Sequence, residues 1–118
     1  MKHITNDELR WINVDFDDVI CSNSGYPHFT PKKPKKGIKR GLEALIKAGY
    51  KIHIYTARPS SQYINIEEWL IEHNVPFHYI ETGKSLCALY IDDRAYHFTS
   101  WNKSEVENML SLLKGGDK

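Results

Sequence analysis

Trp11-Ile12-Asn13-Val14-Asp15-Phe16-Asp17-Asp18 is the stretch on which the reading of this chain turns. An aromatic and β-branched run of strand length stops abruptly in carboxylates. Further on, Ala88-Leu89-Tyr90-Ile91 runs into Asp92-Asp93 in the same way. In an open α/β sheet, ligands bind beyond the carboxyl ends of the strands. If the two strands are neighbours, Asp15, Asp17, Asp18, Asp92 and Asp93 crowd one end of the sheet. Two such charges about 4 Å apart repel by roughly 4 kcal/mol at an effective dielectric of about 20. A fold keeps that arrangement if a cation sits there or if some carboxylates stay protonated. Hard cations, Mg²⁺ in particular, take oxygen ligands.

Outward from these runs the pattern reads strand, helix, strand, helix, strand, strand, helix. The first strand covers about 11–16. Ile38, Leu42, Leu45 and Ile46 form the apolar stripe of a helix over about 36–48, which Gly49 stops. A second strand follows over 51–56. Ser60 and Ser61 are the expected N-caps of a helix reaching about His73, and Pro76 bars its continuation. Short strands are expected at 77–80, 88–91 and 96–99. Ser104-Glu105-Val106-Glu107 fits a capping box opening the last helix. Strands alternating with helices imply an α/β domain with a mostly parallel sheet of about five strands flanked by helices.

The length, 118 residues, fits one domain over 1–118, with its core at about 11–113 and a frayed tail over 114–118. The content is 41% hydrophobic and 26% charged, ordinary for a globular protein. A net charge of +1 gives no global field that would select nucleic acid or an acidic membrane. Cys21 and Cys87 lack metal or disulfide spacing and read as free thiols in a reducing compartment. No run approaches the ~20 apolar residues of a membrane span, and the first residues lack the apolar core of a signal peptide. The expected location is cytoplasmic, with no membrane partner.

Asp15 and Asp17, Thr56, Lys84, and Asp92 with Asp93 share one trait. Each lies at or just beyond a strand's carboxyl end, or just before the next strand. Two carboxylates one residue apart point the same way only if the chain between them is extended. One would then serve as nucleophile and the other as proton donor to the same group. A threonine hydroxyl donates to a phosphoryl oxygen, and a lysine offers it a compact positive charge. Nucleophile, acid, anion clamp and metal together make a phosphoryl-transfer site, where positioning and electrostatics carry most of the rate.

In these residues the chain resembles the haloacid dehalogenase superfamily of aspartate-nucleophile phosphohydrolases. Val14-Asp15-Phe16-Asp17-Asp18-Val19 is similar to its first motif, and Ile52-His53-Ile54-Tyr55-Thr56 to its second. Lys84 stands for the third, and Leu89-Tyr90-Ile91-Asp92-Asp93 for the fourth. The resemblance implies a single Rossmann-like three-layer domain. It further implies that Asp15 attacks phosphorus and forms an aspartyl-phosphate, and that Asp17 protonates the leaving oxygen and then activates water. Thr56 and Lys84 would hold the phosphoryl oxygens. Mg²⁺ would be ligated by Asp15, the Asp17 main-chain carbonyl, Asp92 and, directly or through water, Asp93. The short links leave no room for a large cap, and such capless members often close the site with a neighbouring subunit or a macromolecular substrate. Two departures stand out: Asp18 follows the Asp-x-Asp where many members have glycine, and Ser85 follows Lys84 where proline is common. Arg58 and Arg94 are placed to contact substrate.

The expected activity is hydrolysis of a phosphomonoester of the sugar phosphate or nucleotide class. Two alternatives stand beside it. One is a phosphatase for phosphorylated nucleic acid ends, motivated by the basic run Lys32-Lys33-Pro34-Lys35-Lys36 with Lys39 and Arg40, which otherwise reads as a solvated helix start. The other is a non-enzymatic phosphoryl-receiving or binding domain. Tyr26 and His28 are the candidate substrate contacts of the loop over 21–34, while Trp11, Trp69 and Trp101 read as packing residues.

Overall fold

The computed structural model describes residues 10–22, 33–84 and 95–115. The order is β1 (Trp11–Val14), α1 (Ile38–Lys47), β2 (Lys51–Tyr55), α2 (Tyr63–Glu72), β3 (Tyr79–Glu81) and α3 (Lys103–Gly115). Among the described residues the sheet has three strands in the order β1-β2-β3, all parallel. In register, Val14 faces Ile54 and Ile54 faces Ile80. This is the α/β architecture that alternating strands and helices imply. The expected strand at 88–91 lies outside the described residues.

Alternation along the strands makes the core. Val14, Ile52, Ile54 and Ile80 are buried together with Ile38, Leu42 and Leu45 of α1 and Ile66 and Leu70 of α2. At about 25 cal/mol per Å² of apolar surface removed from water, this single cluster is the main source of stability.

Chain stops follow local chemistry. Gly49 ends α1 with φ +103°, and the Gly49 and Tyr50 amides donate to the carbonyls of Ile46 and Leu45. Asn74, at φ 55°, does the same for α2, its amide donating to Ile71 and that of Val75 to Leu70. Asparagine tolerates this left-handed conformation better than most residues.

Three expected features differ. Ser60 and Ser61 do not cap α2: they form a short 3₁₀ turn over Ser60–Gln62 entered from Pro59, with no side-chain cap. Ser104 does not open α3. The helix begins at Lys103, and Asn102 caps it, its Oδ1 accepting from the Glu105 amide (2.9 Å) and from the Ser104 hydroxyl (2.9 Å). Finally, 96–99 forms no strand pairing among the described residues. Its side chains serve α3 instead: the Tyr96 hydroxyl donates to Glu105, and Phe98 packs on Trp101 with ring centroids 5.4 Å apart.

Candidate functional site

β1 ends at Val14, two residues earlier than the sequence pattern suggests, because the chain folds back on itself. The Phe16 carbonyl accepts from the amides of Ile20 (3.0 Å) and Cys21 (3.2 Å) and from the Cys21 thiol (3.5 Å). Phe16 anchors the turn in the core, edge-on to Trp69 at 5.4 Å. The anchor leaves Asp15, Asp17 and Asp18 around the mouth of the strand. Asp18 takes φ 63°, the left-handed conformation that glycine adopts without strain, and its amide donates to the Cys21 carbonyl (2.7 Å). Burial, then the neighbouring Asp17 charge, pushes the Cys21 thiol up to about 12, so Cys21 is an inert packing residue.

Asp15 stands just past β1. Its Oδ1 accepts from the Phe16 amide (2.9 Å), and the Lys84 ammonium lies 3.9 Å from the same oxygen. Burial pushes its carboxyl above the ordinary 3.8. Lys84 and the Phe16 amide pull the other way, and Asp17 and Asp18 add to the rise. Lys84 reaches Asp15 from the loop after β3, its Nζ 5.5 Å from the Tyr55 ring centroid. Its main chain is fixed too, the Lys84 amide donating to the Thr56 carbonyl (2.9 Å).

Thr56 follows β2 and is fully buried. Its amide donates to the Glu81 carbonyl (3.0 Å), and its hydroxyl oxygen accepts from the Arg58 amide (3.1 Å). Arg58 is fully buried as well. Its Nε and Nη2 donate to the two oxygens of Asp17 at 2.9 and 2.7 Å, and Nη1 donates to Gln62 (2.7 Å). The guanidinium also lies over the Phe16 ring, 5.7 Å from its centroid.

No family model and no curated protein matches the chain. A crystal structure of a target protein from Vibrio cholerae is similar to it, with a TM-score of 0.59 and 28% identity over 92% of this chain and 99% of that one. The α/β fold is shared.

Within that fold, Asp15, Asp17, Thr56, Arg58 and Lys84 come together at the carboxyl end of the sheet. Asp92, Asp93 and Arg94, as well as Tyr26 and His28, lie outside the described residues. Two residues join the site without a sequence signal. Gln62 accepts from Arg58 Nη1, and Tyr55 lies against the Lys84 ammonium. The sequence marks Arg58 as a residue of interest, but its pairing with Asp17, 41 residues away, depends on how β1 and β2 align. Of the basic run, Lys33, Lys36, Lys39 and Arg40 are exposed, and the Arg40 Nη2 donates to the Trp101 carbonyl (2.9 Å).

The donor set suits a hard cation. Among the described residues its oxygens would be the carboxylates of Asp15, Asp17 and Asp18, with both Asp17 side-chain oxygens also accepting from Arg58, and burial first, then like charges, raises the Asp15 carboxyl. Among the described residues no group of three His, Cys, Asp or Glu side chains forms a metal cage. The Asp92-Asp93 pair that would add ligands is not among them.

Proposed function

We propose that this protein is a Mg²⁺-dependent phosphomonoesterase of the haloacid dehalogenase type, acting in the cytoplasm on a small sugar phosphate or nucleotide. The observation that carries the reading is the convergence of a carboxylate, a buried hydroxyl and an ammonium from the ends of β1, β2 and β3, with Lys84 Nζ 3.9 Å from Asp15. An isolated acidic turn would need no such partners. In this reading the sheet is the larger Rossmann-like one of about five strands.

Asp15 is the nucleophile. Its carboxylate attacks phosphorus and the bond from phosphorus to the ester oxygen breaks; in this reading one Asp17 oxygen parts from the Arg58 guanidinium that holds it, takes a proton from solvent, and passes that proton to the leaving oxygen. Asp17 then draws a proton from the water that attacks the aspartyl-phosphate, which restores Asp15 and releases inorganic phosphate. Thr56 donates its hydroxyl to a phosphoryl oxygen, and Lys84 balances the charge that builds on the others. Asp15, the Asp17 main-chain carbonyl, Asp92 and Asp93 would hold Mg²⁺, which when bound offsets the crowded carboxylates and polarises the phosphoryl group.

The test is turnover of p-nitrophenyl phosphate and of a panel of phosphorylated metabolites with Mg²⁺. Asp15→Asn removes the nucleophile and is expected to lower kcat by at least about 1,000-fold. Equal rates for the two proteins, or a stable phosphoryl group on Asp15 without turnover, would overturn the reading.

A further inference from the structure

Its position after Thr56 makes Arg58 a candidate substrate contact, and its surroundings tie it to Asp17. Its side chain is fully buried. Nε and Nη2 grip both oxygens of Asp17, and Nη1 is held by Gln62, itself at the entrance to α2. A bidentate guanidinium–carboxylate pair fixes orientation as well as position, because both groups are planar. The Phe16 ring beneath the guanidinium restricts it on one face.

The main chain of the same residue closes the other half of the site. The Gly83 amide donates to the Arg58 carbonyl (2.9 Å), next to the bond from the Lys84 amide to the Thr56 carbonyl (2.9 Å). Gly83 has φ +83°, a conformation that favours glycine, and the turn it makes presents Lys84 toward Asp15. Arg58 therefore joins three loops. Its side chain fixes the acidic turn after β1, its carbonyl fixes the turn after β3, and its own backbone carries the turn after β2.

Resting on the phosphatase reading, we infer that Arg58 is the positioning residue of this site. It sets Asp17 and the Gly83-Lys84 turn in register across the three strand ends and acts on the substrate only through them. Misplacing a reacting group by about 1 Å can cost about 100-fold in rate. Loss of such a residue should thus appear in kcat, while loss of a direct substrate contact would appear in KM.

The experiment is a kinetic and stability cycle on the full chain: wild type, Arg58→Met, Asp17→Asn and the double variant, with Arg58→Lys beside them. Turnover of p-nitrophenyl phosphate is measured with Mg²⁺, and unfolding is followed in urea. Arg58→Met is expected to lower kcat by about 100-fold with KM within about threefold of wild type. Arg58→Lys, which keeps the charge but offers a single point of attachment, should fall between the two. The double variant should be no slower than Asp17→Asn alone, because Arg58 acts through Asp17. A rise in KM with kcat preserved, or losses that multiply in the double variant, overturns the inference. If Arg58→Met does not fold, Arg58→Lys and Gln62→Leu carry the same kcat-against-KM comparison.

If wild type shows no Asp15-dependent turnover, the phosphatase reading fails, and the urea cycle still decides the tie. Midpoint shifts that are non-additive between Arg58 and Asp17 support it, and additive shifts overturn it.

Discussion

Burial holds the Asp15 carboxyl above its usual 3.8 even with the Lys84 ammonium 3.9 Å away. A carboxyl raised in the fold binds more protons folded than unfolded, so its contribution to stability is lost as the pH rises through the raised value. At neutral pH and without added metal, Asp15→Asn is therefore expected to raise the urea midpoint while abolishing turnover. A lower midpoint would show that the Lys84 pair outweighs the burial. His53 runs the opposite way. Burial lowers it below 6.5 against the pull of Glu81, 3.2 Å from its Nε2, while its Nδ1 meets Asn13 Oδ1 at 2.6 Å. The folded chain binds fewer protons there than the unfolded chain. Stability from this group is present above 6.5 and lost as the pH falls from 6.5 to the lowered folded value. Urea titrations between pH 5 and 8, in about half-unit steps, should show this acid-side loss shrinking in His53→Gln; an unchanged pH dependence would mean the ring is not the group responsible. Asp18, the departure from the resembled motif, has a backbone explanation at this scale. Its φ of 63° is where a glycine would sit, and aspartate is one of the few side chains that tolerates it.

At the scale of elements, the helix ends that were readable were those set by backbone geometry. Gly49 was legible as the stop of α1 because a residue that must take positive φ is most often glycine. The serine caps that the sequence suggests for α2 and α3 differ from the structure because a serine hydroxyl competes for several local partners. Ser104 was the natural choice, yet its hydroxyl donates to Asn102, and the Asn102 side chain takes the orphan amide of Glu105. The capping pattern was correct in kind and displaced by two residues, with Asn102 and Glu105 as its ends. The consequence is measurable. Asn102→Ala should cost about 1 kcal/mol of stability, while Ser104→Ala, on an exposed residue that leaves the cap in place, should stay within about 0.5 kcal/mol. Equal losses would return the cap to Ser104. The missing strand at 96–99 has a tertiary cause of the same kind. An alternating Tyr-His-Phe-Thr pattern suits a strand, but Tyr96 and Phe98 are engaged with Glu105 and Trp101 at the start of α3, and tertiary partners override local propensity.

Across the whole molecule, the acidic run after β1 and the Thr56 and Lys84 positions could be read from sequence because each sits at a strand end. The pairing of Arg58 with Asp17 could not, since it depends on the parallel register of β1 with β2. Another long-range tie joins the acidic turn to the C-terminal helix. The Trp101 indole Nε1 donates to the Val19 carbonyl (2.6 Å), one residue past Asp18, and the Trp101 carbonyl accepts from Arg40 of α1 (2.9 Å). Trp101 is thus held at two places, the ring through its Nε1 and the main chain through its carbonyl, and the ring lies against Gly41. A Cβ added at Gly41 would stand 2.6 Å from Trp101 Cε3 and 3.3 Å from Val106 Cγ2. Two effects then compete in Gly41→Ala. Alanine in a helix interior gains about 1 kcal/mol over glycine, whereas overpacking a filled contact typically costs about 1–3 kcal/mol. Trp101 cannot withdraw without breaking its bond to Val19, so the overpacking term dominates. Gly41→Ala is expected to lose about 1 kcal/mol net in urea unfolding, the balance of those two effects. Because the strain falls on the residue that holds Val19, turnover should fall as well, while Leu112→Ala, at an exposed position of α3, should leave both unchanged. A Gly41→Ala midpoint at or above wild type would mean that the indole is free to move and that α3 does not brace the acidic turn.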